Sequence, residues 1–171
     1  MNKKKSLYRN REAVRAAAGI VMRLVFLYAV YFVEGIAAPY FRFLPAVPLL
    51  LPLAAVGFAM FRGSTQGAAL GLFAGALLDV SLDRPVLLFM LTTTALCMLI
   101  GALCETVVAR SLPAYLVISL AVLLLYAFMQ MFPLLFFERV PPRALLMTGV
   151  RQTAASLPFA LLFYPLLRRR R

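Results

Sequence analysis

Apolar runs alternate along the chain with short breaks that carry charge, proline and glycine. A helix that crosses the roughly 30 Å hydrocarbon core of a bilayer needs about 20 mostly apolar residues. On that ruler the pattern predicts six spans, at 19–38, 43–61, 66–82, 86–109, 113–137 and 144–167. The breaks have turn or helix-ending chemistry: Pro39 with Arg42, Arg62-Gly63-Ser64-Thr65, Asp83-Arg84-Pro85, Arg110-Ser111-Leu112-Pro113 and Glu138-Arg139-Val140-Pro141-Pro142. Pro45, Pro48 and Pro52 bend or delay the start of the second span, and Pro158 is expected to kink the sixth. Residues 6–18 either continue the first helix beyond the membrane or lie along its surface.

The third span carries the most particular pattern. Gly67, Gly71 and Gly75 recur every four residues, and Asp79 continues the spacing. Four residues advance about 400° on a helix, so the four positions form one slowly drifting stripe. Each glycine costs roughly 1 kcal/mol against alanine in a helix interior, so a stripe of them needs a packing reason. In an apolar helix that reason is close approach of a second backbone, either inside the bundle or from a partner helix. Asp79 sets a carboxylate at one end of the groove, and the other helices are expected to be arranged round this one.

Composition agrees. The chain of 171 residues is 64% hydrophobic, with a mean hydropathy of +0.92, against about 45–50% apolar residues in an average soluble domain. The expectation is an all-α integral membrane protein, one domain over 1–171, with a basic segment at 1–18 and a basic tail at 168–171. Most of the formal charge of +12 lies at those ends, where it suits anionic lipid headgroups rather than nucleic acid. Lys3, Lys4, Lys5, Arg9, Arg11, Arg15, Arg62, Arg110 and Arg168 to Arg171 fall on one predicted side, against Arg42, Arg84, Arg139 and Arg143 on the other. That bias predicts both termini in the cytoplasm. The N-terminal stretch is too charged for a cleavable signal.

Candidate chemistry is sparse. Histidine is absent, which excludes imidazole zinc sites and Ser-His or Cys-His nucleophiles. Cys97 and Cys104 share one predicted helix about 10 Å apart and cannot bridge within it. Arg23 can snorkel from the first span. Glu34, Asp79 and Arg151 all fall toward the outer ends of their spans. Intramembrane charges are costly and normally paired or facing a cavity, so these three either form a carboxylate–guanidinium contact or stay wet at headgroup level. Gly75-x-x-x-Asp79-x-x-x-Asp83 matches half the signature of membrane CDP-alcohol phosphotransferases. The acids that complete a two-metal centre have no counterpart near 61–66. No catalytic residue, metal or cofactor is therefore expected.

One family resemblance is visible. Val47-Pro48-Leu49-Leu50-Leu51, then Arg62-Gly63, then Gly67-x-x-x-Gly71-Leu72-Phe73-Ala74-Gly75-x-x-x-Asp79 with Pro85 beyond it, resembles the rod-shape-determining membrane protein family MreD. The apolar stretch from Leu157-Pro158 to the terminal arginines is also similar, while Leu49 and Asp83-Arg84-Pro85-Val86 differ from what many members carry. The resemblance implies a bundle of six transmembrane helices, folded like the substrate-binding S components of energy-coupling-factor transporters. It also implies a non-enzymatic scaffold in the bacterial inner membrane. That scaffold binds the single-span protein MreC, and through it other proteins of the elongation complex that builds the peptidoglycan cell wall and sets cell shape. The alternative is a vitamin-binding S component itself, with Ala13-x-x-x-Ala17 meeting a transporter coupling helix.

Overall fold

The computed structural model describes residues 2–37, 48–81, 87–137 and 142–169. Within them the chain forms helices and no strand: α1 Asn2–Ala37, α2 Leu50–Arg62, α3 Ser64–Ser81, α4 Leu88–Thr106, α5 Leu112–Phe137 and α6 Pro142–Arg169. The predicted outer turns at Arg42, Arg84 and Arg139, with Asp83 and Pro85, lie outside the described residues. Three helices are long and apolar enough to cross a membrane, at Ala17–Ile36, Leu88–Thr106 and Leu112–Gln130.

The basic N-terminal segment and the first apolar run form one unbroken helix. The second predicted span is shortened. Its helix starts only at Leu50, after Pro48, and holds Pro52 within its first turn, where the missing N–H has no intrahelical partner to lose. Its 13 residues amount to about 20 Å of helix. Pro113 likewise lies in the first turn of α5, whereas α6 runs through both Pro158 and Pro165.

The centre of the bundle is α2, not the glycine-spaced α3. Every residue from Leu50 to Phe61 is buried, and α2 packs against all five other helices. Glycine spacing marks the tightest pair of helices, not the middle one. A short helix of Leu, Ala, Val, Phe, Met and Gly has no polar face to turn outward, so it takes the middle. Aromatic rings bind it to the outer helices: Phe58 lies edge-on to Phe26 of α1 with centroids 5.7 Å apart. Phe61 meets Tyr164 of α6 at 5.7 Å. The Tyr115 hydroxyl of α5 donates to the Leu53 carbonyl at 3.1 Å.

Candidate functional site

α3 and α4 run antiparallel with backbones in near contact, and the glycine stripe is the reason. A Cβ added at Gly75 would lie 2.5 Å from the Met90 Cα and 2.7 Å from the Phe89 carbonyl oxygen. At Gly71 it would lie 2.8 Å from the Cys97 Cβ and 2.9 Å from the Thr93 carbonyl. At Gly67 it would meet Ala59 of α2 at 2.9 Å and the Cys97 carbonyl at 3.1 Å. Side chains have no room at these three positions, because the obstacles are mostly backbone. The stripe thus faces α4 and α2.

Asp79 closes one end of the seam. Its carboxylate is 5% exposed and accepts the backbone N–H groups of Phe89 at 3.2 Å and Met90 at 2.9 Å. These are first-turn donors of α4, whose own N-cap, Leu87, offers no side-chain bond. Asp79 therefore caps α4 from a different helix. The other end mirrors it. Glu105, in the last turn of α4, accepts the Ser64 N–H at 3.1 Å and faces the Ser64 hydroxyl at 3.4 Å, capping α3. Each helix of the pair carries near its C-terminus the carboxylate that satisfies the N-terminus of the other. The positive end of each helix dipole adds to the attraction.

Gly63 makes the turn that this arrangement requires. It is the one residue between α2 and α3, at φ +89°, and an added Cβ would run into the Glu105 carboxylate. Gly101 of α4 leaves room for the same turn: a Cβ there would lie 2.6 Å from Gly63 and Ser64 backbone atoms. In the middle of the seam the Thr93 hydroxyl donates to the Phe89 carbonyl and meets the Tyr126 hydroxyl of α5. The Tyr126 ring stacks on Phe89 at 5.7 Å.

Glu34 repeats the device at α2. It accepts the Leu51 N–H at 3.1 Å from α1, and Ser156 of α6 accepts the Leu49 N–H at 2.9 Å while donating to Gln152. Glu34 and Asp79 are thus brought to backbone amides at two different helix starts, and Arg151 sits on an exposed face of α6. Arg23 reaches Gln66 of α3, with a 2.7 Å bond to its carbonyl oxygen. Cys97 and Cys104 are free and buried. Among the described residues no group of three or more His, Cys, Asp or Glu side chains is placed to hold a metal.

Sequence reasoning singled out Asp79 and the glycines but missed Glu105, Gly101, Thr93, Tyr126 and Ser156. The signal was present. Thr93, Cys97, Gly101 and Glu105 also recur every four residues and end in an acid, as Gly67, Gly71, Gly75 and Asp79 do. The starts of α2, α3 and α4 follow Leu49, Gly63 and Leu87, none of which has a capping side chain. In an apolar bundle those amides must be answered by another helix.

Fold and seam together define an all-helical membrane protein whose innermost polar groups hold helix to helix. No family model, curated protein or solved structure matches the chain.

Proposed function

We propose that the protein is a non-enzymatic membrane scaffold of the MreD kind, a six-span bundle of the bacterial cytoplasmic membrane with both termini in the cytoplasm. It binds a single-span partner similar to MreC and helps direct wall synthesis along the cell. The reading draws first on the proline, glycine and aspartate pattern from Val47 to Pro85. The observation that carries it further is the use made of the polar groups. Asp79, Glu105 and Glu34 each answer helix amides, the use expected of a rigid frame. The same reading gives the partner a surface. The glycine stripe is occupied by α4, while only 11% of the apolar stretch of α1 is buried, against 33% in α4 and α5. Val21, Val25, Tyr28, Phe32 and Ile36 are exposed along that stretch, and nothing lies within 4 Å of an added Cβ at Gly35. A partner helix docks there.

Depletion in the native host tests the role. Depleted cells are expected to lose control of their width while their nutrient requirements stay unchanged. Cells that keep their shape but come to require a vitamin would instead identify a transporter S component.

A further inference from the structure

We propose that Arg23 and Arg62 form a binding site for the phosphate of an anionic phospholipid, at the end of the groove between α1 and α3. The site is separate from the basic termini, and it rests on the membrane character of the chain and not on the scaffold role.

Arg23 stands on the apolar stretch of α1, yet its guanidinium turns back along its own helix: an added Cβ on Gly19 would lie 3.5 Å from one of its terminal nitrogens. That places the charge about one turn nearer the basic N-terminal segment, at the depth where a snorkelling side chain meets headgroups. One nitrogen is fixed by the 2.7 Å bond to the Gln66 side-chain carbonyl. Arg62 ends α2 one residue before the Gly63 turn, four residues before Gln66. It is close enough to act on Arg23 electrostatically.

Two like charges are thus brought together from different helices. The carboxylate nearest in the fold, Glu105, is bound to Ser64. A guanidinium presents five donors in a fixed fork, so Arg23 keeps donors free beyond the one given to Gln66. An anion between the two arginines relieves their repulsion and receives charge-assisted hydrogen bonds from a planar fork suited to phosphate.

The surroundings favour a lipid over a soluble anion. α1 and α3 pack together. Beside the site α3 exposes Ala69 and Leu72, with Phe73 half-buried behind them. This apolar strip, running away from the charged end, is the surface an acyl chain covers. Basic pockets between helices at the membrane surface commonly hold anionic headgroups.

The test uses the purified full chain in micelles of zwitterionic lipid and detergent, with phosphatidylglycerol added. A ligand that binds the native state raises the melting temperature. The wild type is expected to gain several degrees, and Arg23→Gln/Arg62→Gln to lose most of that gain. Gln66→Ala, which removes the bond to Arg23 but neither charge, keeps the gain, as does a variant with Arg168 to Arg171 all replaced by Gln. A full shift in the double variant overturns the site, as does its loss on changing the C-terminal tail. An equal shift from inorganic phosphate alone overturns the lipid assignment. Should the double variant not fold, the wild type decides. Extracted at 0.5 M salt from vesicles of equal phosphatidylglycerol and phosphatidylcholine, it should retain the anionic lipid in at least several-fold excess. Equal retention overturns the proposal.

Discussion

Asp79 and Glu105 do the same work at opposite ends of one seam, in different surroundings. Asp79 is buried and holds two amides of α4; Glu105 is exposed and holds Ser64 at the start of α3. Losing a helix cap costs about 0.5–2 kcal/mol, and a buried donor left without a partner costs about 1–3 kcal/mol. Water reaches the Ser64 amide more easily than those of Phe89 and Met90. Asp79→Ala is therefore expected to destabilise the protein by about 2 kcal/mol and Glu105→Ala by about 1 kcal/mol or less. Reversible unfolding in mixed micelles measures both, and equal costs would mean that burial does not distinguish the two caps. Asp79 was legible in the sequence as an odd charge in a glycine stripe, but its partner was not. A charge count asks which arginine neutralises an acid, whereas here the acids answer backbone amides, which carry no letter of their own.

Among the elements, the α3–α4 seam is rigid because backbone faces backbone. Gly75→Ala puts a methyl group 2.5 Å from the Met90 Cα, so one helix must move, at a cost of about 1–3 kcal/mol typical of overpacking. Gly35→Ala meets nothing and removes a helix-interior glycine, a gain of up to about 1 kcal/mol. Opposite signs in the same unfolding assay are the expected result. The six helices were readable from hydropathy because apolar length is a strong signal. The middle position of α2 was not: a sequence shows that a helix is apolar all round, but not how many neighbours close over it. The delayed start at Leu50 was readable, because Pro48 and Pro52 stand in the sequence.

On the scale of the molecule, polar contacts lie inside and an apolar helix lies outside. Caps and glycines fix α2, α3 and α4 against one another, and α1 keeps an open apolar face. The scaffold reading depends on that division, because a frame that holds itself together can lend one face to a partner. Co-purification from native membranes after mild solubilisation tests it most directly. The wild type is expected to retain a single-span partner similar to MreC. Val25→Ala/Phe32→Ala, altered only on the exposed face of α1, should accumulate normally and lose most of that partner. Gly71→Leu, altered in the seam, should accumulate poorly and retain partner in proportion to its own level. A wild type that retains no such partner, or a Gly71→Leu protein at normal level that has lost it while the α1 variant binds normally, would contradict the account.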